Sequence, residues 1–367
     1  MKNLDNLSDI KRVDKSNMLS FCVEASEHYG EAAQLAEAVS INYSKPESII
    51  VAGMGGSAIG GELLKDWARD KIAVPIEVCR EYLLPRYAGK NSLVFVVSYS
   101  GETEESLGAF LDAVKRRCMI ICISSGGALQ DFAEKLSIPH LLVPLGMAPR
   151  VSLPYLFMPL PIILEKVGLV SQVAPEISET VRVLKYVADS NSPEKSLREN
   201  FSKKLASKIC DTIPVIYGFG IYRAVAQRLK TQFNENSKIP AKWEFFPELN
   251  HNEIVGWEAA NELAKHFSTI LIRDPDEAKP MRQRIEATKK LIGRKLVKIL
   301  EIQSIGKSEL AKMSSVICMG DFTSVYLAIL RGIDPTPVKS IAILKENIKQ
   351  SGMKREILRE LQKIVGR

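Results

Sequence analysis

Two strand-to-helix junctions constrain the fold of this chain more than anything else in it. Ile49-Ile50-Val51-Ala52 runs into Gly53-Met54-Gly55-Gly56-Ser57-Ala58-Ile59-Gly60-Gly61. Leu93-Val94-Phe95-Val96-Val97 runs into Ser98-Tyr99-Ser100-Gly101-Glu102-Thr103. Each reads as a buried apolar strand, then small residues, then a helix start. The Gly-rich loop lets backbone amides approach a ligand closely. The second loop brings the hydroxyls of Ser98, Ser100 and Thr103. Backbone N–H groups at a helix N-terminus with converging hydroxyls make an anion site, most often for phosphate.

The surrounding sequence repeats the alternation. Strands are expected over 48–52, 76–79, 93–97, 119–124 and 140–143, with helices over 58–70, 104–117 and 129–136. That spacing predicts βαβ units and a parallel sheet. Ligands of such sheets sit outside the strand carboxyl ends, where both opening loops lie. Residues 1–44 read as helical. Residues 146–210 read as a connection: a loop over 146–150, an apolar stretch over 152–167 broken by Pro154, Pro159 and Pro161, and helices over 175–188 and 194–209. A second α/β pattern opens at Pro214-Val215-Ile216-Tyr217-Gly218-Phe219-Gly220 and mirrors residues 49–56. It continues with helices over 222–233, 280–291 and 307–313, strands over 269–273 and 296–302, and an apolar segment over 316–319. Pro335-Thr336-Pro337 then signals a helix over 338–349, with another to the C-terminus. The expected class is α/β, with two αβα sandwich domains, each a mostly parallel sheet flanked by helices. The expected division is 1–150 for N-terminal helices and the first domain, 151–210 for a helical connection, 211–330 for the second domain and 331–367 for a helical tail.

Composition narrows the partners. A formal charge of +7 suits an anionic metabolite, while 7% aromatics and no clustered basic run argue against nucleic acid. Cys118 and Cys122, the only close pair among the six cysteines, fall on one apolar strand about 13 Å apart. They share neither a disulfide nor a metal at that separation, so reduced buried thiols are expected. No His/Cys/carboxylate cluster has metal spacing, and neither metal nor cofactor is expected. The first residues are polar, unlike a signal peptide, and no apolar run reads as a membrane span. A cytoplasmic protein is expected.

The Gly-rich loop alone is ambiguous. Gly53-x-Gly55-x-x-Ala58 fits the permissive dinucleotide fingerprint, with Glu77 at the distance of a ribose contact. The hydroxyl loop argues against that reading, since a dinucleotide does not call for three hydroxyls at a neighbouring strand end. A phosphomonoester does, because its terminal oxygens take several donors. The plainer reading makes Thr103 a helix N-cap and Ser98 and Ser100 ordinary loop residues.

Gly55-Gly56-Ser57 with Ser98-x-Ser100-x-x-Thr103 resembles the phosphosugar-binding pattern of sugar isomerase (SIS) domains. Two such domains at this length resemble the bifunctional phosphoglucose/phosphomannose isomerases. The runs Asn234-Glu235-Asn236-Ser237-Lys238 and Pro247-Glu248-Leu249-Asn250-His251-Asn252-Glu253 carry the resemblance into the second half. It implies an aldose–ketose isomerase acting on hexose 6-phosphates, namely glucose and/or mannose 6-phosphate with fructose 6-phosphate. Such a reaction needs a tuned carboxylate to move a proton between C1 and C2 and a cation for the enediolate. The resemblance assigns the base to Glu235 and the ring-opening histidine, donated by a partner subunit, to His251. It assigns enediolate stabilisation to Arg150 and assistance in ring opening to Lys345, with Lys339 as second candidate. Gly55, Gly56, Ser57, Ser98, Ser100 and Thr103 hold the phosphate. A homodimer with a shared active site follows, using no cofactor, nucleic acid or membrane. Glu248 is the rival base. Thr336 is the candidate for tolerance of either C2 configuration, although nine residues to Lys345 is half a turn out of phase on one regular helix.

Two alternatives stay open. A regulatory sugar-phosphate-binding SIS protein would keep the hydroxyls and need neither Glu235 nor His251. The isomerase half of a ketose-phosphate amidotransferase would normally carry a glutamine-hydrolysing domain as well.

Overall fold

Strands β1 (Ser48–Ala52), β2 (Ile76–Cys79), β3 (Ser92–Val97), β4 (Met119–Ser124) and β5 (His140–Leu142) form one parallel sheet in the order β2-β1-β3-β4-β5. Every residue of β1 and β3 is buried, as central strands covered on both faces require. The computed structural model describes residues 3–259, 261–294, 298–348 and 352–366. The sheet belongs to a unit of His28–Pro175 with Val338–Arg367; the other unit is Met1–Glu27 with Glu176–Pro337.

In the β1–β5 unit, helix Gly56–Ala68 lies against β1 and helix Glu104–Lys115 covers the sheet on β3. Gly60 and Gly61 allow the first to sit close. A Cβ on Gly61 would meet the Val51 side chain at 2.7 Å, and one on Gly60 would meet the Leu156 carbonyl at 2.9 Å. Leu156 belongs to helix Leu153–Phe157, which with helix Pro159–Lys166 forms the proline-broken apolar stretch, buried almost throughout. Ile50, Val94, Val96, Leu107 and Phe110 join Ile357 and Leu361 of the last helix, Met353–Val365, in one core. Each such side chain, fully buried, contributes about 1.5–3 kcal/mol. The chain's last helix is therefore a layer of this unit, and it meets the hydroxyl loop: Lys354 N donates to Glu104 at 3.1 Å.

In the other unit, β6 (Ile213–Phe219), β7 (Lys242–Phe246), β8 (Phe267–Arg273) and β9 (Lys298–Gln303) form a second parallel sheet in the order β7-β6-β8-β9. Four elements of the chain differ from the sequence expectation, three of them in this unit. Strand β7 is absent from it because β7 is a half-exposed edge strand, alternating Lys242 and Glu244 with Trp243 and Phe245 rather than forming an apolar run. The helix expected over 307–313 and the apolar segment over 316–319 are parts of one helix, Glu309–Leu330. That helix is buried on nearly all sides, so it has no amphipathic period to show its length. By length and composition it could cross a membrane, yet 94% of its apolar window is packed inside the protein. The strand expected from 296 runs from Lys298 among the described residues, and residues 296 and 297 lie outside them. The helix expected over 338–349 runs Lys339–Ile348, with residue 349 outside the described residues.

Candidate active site

The Gly-rich loop and the hydroxyl loop meet at the carboxyl ends of β1 and β3. Gly55 takes φ 51°, a left-handed conformation that favours glycine, and space is open around it. Helix Gly56–Ala68 starts immediately after, its first turn closed by the Ser57 amide donating to the Met54 carbonyl at 2.9 Å and the Ile59 amide to the Gly55 carbonyl at 3.1 Å. Ser57 Oγ accepts from the Tyr99 amide at 3.3 Å, which joins the two loops. Ser98 Oγ donates to Thr103 Oγ1 at 3.0 Å, and Ser100 Oγ accepts from the Glu102 amide at 3.2 Å.

Thr103 occupies the N-cap position of helix Glu104–Lys115, yet its side chain makes no capping hydrogen bond. The plain capping reading of this threonine is therefore wrong. Its hydroxyl is committed to Ser98, and the first amides of a second helix are left to the site.

The loop before helix Leu153–Phe157 closes the third side. A Cβ on Gly56 would meet the Pro149 carbonyl at 2.7 Å and the Arg150 Cα at 3.7 Å. Glycine is thus demanded at 56 by the approach of Ala148-Pro149-Arg150. Arg150 is 2% exposed. Its turn is fixed by Val151 N donating to the Ala148 carbonyl and Ser152 Oγ to the Pro149 carbonyl, both at 2.9 Å.

Tyr99 is a site-building residue that the sequence reading missed. Its hydroxyl donates to the Pro144 carbonyl and accepts from the Met147 amide, each at 2.9 Å. Its carbonyl accepts from Ser125 Oγ at 2.6 Å and Ser125 N at 2.8 Å. Burial pushes its phenol above the ordinary tyrosine value, so it stays protonated. The only sequence signal was its position between two hydroxyls.

The structure places the remaining candidates separately. Glu235 is the last residue of helix Arg223–Glu235, half-buried, with Lys238 Nζ donating to its carbonyl oxygen at 2.8 Å. His251 ends the turn Glu248–His251 and is exposed. Its neighbour Glu248, the rival base, accepts from Asn252 Nδ2 at 2.6 Å. Glu235 precedes β7 and His251 follows it, so they flank a five-residue strand, about 17 Å of extended chain. The two residues thus belong to opposite ends of that strand. Lys345 and Lys339 are exposed on helix Lys339–Ile348. Thr336 lies before that helix, with its amide donating to Asp334 at 3.0 Å, so Thr336 and Lys345 do not share a helix and the phase argument between them lapses. Among the described residues, no group of three His, Cys, Asp or Glu could hold a metal ion.

Two parallel sheets, the first with a Gly-rich loop and a hydroxyl-bearing loop joined at its strand carboxyl ends, are the arrangement of the SIS-domain class. A family model described as the bacterial phospho-glucose isomerase C-terminal SIS domain matches residues 198–348. The bifunctional phosphoglucose/phosphomannose isomerase of Caldicellulosiruptor bescii is 40% identical over 88% of this chain and 96% of its own. That of Aquifex aeolicus is 33% identical over 83% of this chain and 91% of its own. Among solved structures, a hypothetical protein from Thermus thermophilus has the same fold with a TM-score of 0.74, at 13% identity, covering 94% of each chain. This chain belongs to the bifunctional phosphoglucose/phosphomannose isomerase family.

Proposed function

We propose that the protein interconverts glucose 6-phosphate and mannose 6-phosphate with fructose 6-phosphate, working as a cytoplasmic homodimer with a shared active site. The observation that carries the reading is the Ser57, Ser98, Ser100 and Thr103 cluster at two helix N-termini beside buried Arg150. Hydroxyls and free amides supply the several donors a phosphomonoester takes, and they leave the sugar end for the chemistry. Glu235 removes the proton at C2 of the opened aldose and returns it at C1. Arg150 offsets the charge that develops on the enediolate oxygen, which lowers the barrier because the cation is in place beforehand. His251 and Lys345 assist ring opening by proton transfer at the ring oxygen and the anomeric hydroxyl. The place of Glu235 and His251 at the two ends of β7 supports a histidine contributed by a second subunit.

The test is an assay of purified protein with each of the three hexose 6-phosphates. Interconversion of both aldoses with fructose 6-phosphate is expected. Tight binding of all three with no turnover would replace this reading by that of a regulatory SIS protein.

A further inference from the structure

Acidic residues crowd the hydroxyl loop. Glu102 and Glu104 flank Thr103, and Glu105 follows. A phosphomonoester carries up to about two negative charges near neutral pH, so unbalanced carboxylates at this loop would repel it. Glu105 lies in the first turn of helix Glu104–Lys115, where an acid is favoured. The other two reach across to the N-termini of two different helices. Glu102 Oε1 accepts from the Ala128 amide at 2.7 Å. Ala128 is the second residue of helix Gly127–Lys135, whose own N-cap, Gly126, supplies no side-chain bond. Gly127 makes room for that approach: its φ is +74°, and a Cβ there would lie 2.8 Å from Glu102 Oε1. Glu104 Oε2 accepts from the Lys354 amide at 3.1 Å. Lys354 is the second residue of helix Met353–Val365, whose N-cap, Gly352, supplies no side-chain bond either.

Lys354 joins the two acids. Its amide holds Glu104, and its ammonium donates to Glu102 Oε2, the oxygen that Ala128 leaves over. The second oxygen of Glu104 accepts from the Tyr82 hydroxyl at 2.7 Å. That hydrogen bond, with burial, pushes the Tyr82 phenol up to about 12, so it stays a donor. All these residues belong to the β1–β5 unit. We propose that Lys354 is a positioning residue for the phosphate site: it balances the charge of Glu102 and, through its amide, holds Glu104 at a helix N-terminus, so that the hydroxyl loop offers a dianion donors rather than bare acids. The proposal rests on the reading of Ser57, Ser98, Ser100 and Thr103 as the phosphate site.

Exposure decides where the effect of this pair falls. The Lys354 and Glu102 side chains are 35% and 44% exposed, so the ion pair adds little to the stability of the fold. Its field still reaches the neighbouring loop, well within a Debye length, and there it acts on a ligand that is doubly charged. Loss of the ammonium therefore weakens phosphate binding more than it weakens folding.

The probe is a hexitol 6-phosphate, which carries the phosphate and has no carbonyl to isomerise. With full-length protein at low ionic strength, Lys354→Met is expected to bind it about three- to tenfold more weakly than the wild type, and the gap narrows as salt is added. KM for a hexose 6-phosphate rises by the same factor while kcat holds. Lys354→Arg keeps the affinity. Glu102→Gln/Lys354→Met regains it, because both charges are gone and the glutamine still accepts from Ala128. Unchanged affinity in Lys354→Met, or a loss that Glu102→Gln does not repair, overturns the proposal. Should Lys354→Met not fold, Glu102→Gln alone reads the same field: it leaves the ammonium unopposed and is expected to tighten binding, and no tightening overturns the proposal. Ser98→Ala separates the two readings. If it binds the hexitol 6-phosphate as the wild type does, the phosphate site is misplaced and both readings fall; if it binds weakly while Lys354→Met binds normally, only the role of Lys354 falls.

Discussion

Glu235 and His251 flank opposite ends of β7, the one closing a helix before the strand and the other closing a turn after it. The strand that separates them is about 17 Å long, well beyond what two side chains bridge. The proposed mechanism has the two act on one sugar from different subunits. Mixed dimers of Glu235→Gln and His251→Ala subunits, each inactive alone, are then expected to recover part of the wild-type rate, since one of the two sites in a mixed dimer is intact. Absence of recovery in dimers shown to be mixed would place both residues outside a shared site.

Glu235→Gln keeps the shape and removes the base. The expected outcome is loss of hydrogen exchange at C2, with the rate down by about 10²–10⁴-fold, the usual span for a general base. Hexose 6-phosphate affinity stays near the wild-type value, because the Ser98 and Thr103 hydroxyls are untouched. Turnover near normal would move the base to Glu248.

Lys238 fixes the end of the Glu235 helix from below. Its ammonium donates to the carbonyl oxygens of Glu235 at 2.8 Å, Asp334 at 3.1 Å and Pro335 at 2.7 Å. Cations are favoured at a helix C-terminus, where the carbonyls carry partial negative charge. Lys238→Met leaves these carbonyls short of a donor and is expected to cost about 1–3 kcal/mol. If Lys238 also positions Glu235, kcat falls while KM holds, and Lys238→Arg restores part of it. Unfolding measurements with unchanged kcat would make Lys238 a structural residue only.

The ease of reading the two sheets differs for physical reasons. Strands β1 and β3 are buried on both faces, so each is a plain apolar run. The same runs lead into loops whose small residues and hydroxyls have a direct chemical meaning. Edge strand β7 and the helix Glu309–Leu330 were hard to read for opposite reasons. The first is half wet and mixes charge with aromatics; the second is dry on all sides and has no period. The hub role of Tyr99 depends on Pro144, Met147 and Ser125, all distant in sequence, and local pattern holds nothing of them.

The hydroxyl pair Ser98 and Thr103 gives a binding prediction. A hydrogen bond to a charged group is worth about 1.5–3 kcal/mol, or roughly 10- to 100-fold in affinity. Ser98→Ala and Thr103→Val are each expected to raise KM for a hexose 6-phosphate by about that factor, with kcat little changed. The phosphate is held alike in ground and transition states, so its loss is uniform. A fall in kcat at constant KM would instead place these hydroxyls in the chemistry.

Gly101, between Ser100 and Glu102, tests how rigidly the hydroxyl loop must be held. Its φ is +66°, which a side chain adopts only with strain, and an added Cβ would lie 1.8 Å from the Gly126 carbonyl oxygen. The neighbour is backbone, not the tip of a side chain, so one of the two loops must move. Gly101 also accepts from the Leu129 amide at 3.0 Å and donates to the Ser98 carbonyl at 2.9 Å, so movement would disturb both β3 and β4 loops. Gly101→Ala is expected to destabilise the fold by at least about 2 kcal/mol, from combined backbone strain and overpacking. Because the displaced loop carries Ser98 and Ser100, phosphate affinity falls with stability. Denaturant titration with and without hexose 6-phosphate reads both quantities, and an Ala variant as stable as the wild type would show that the loop has room to shift.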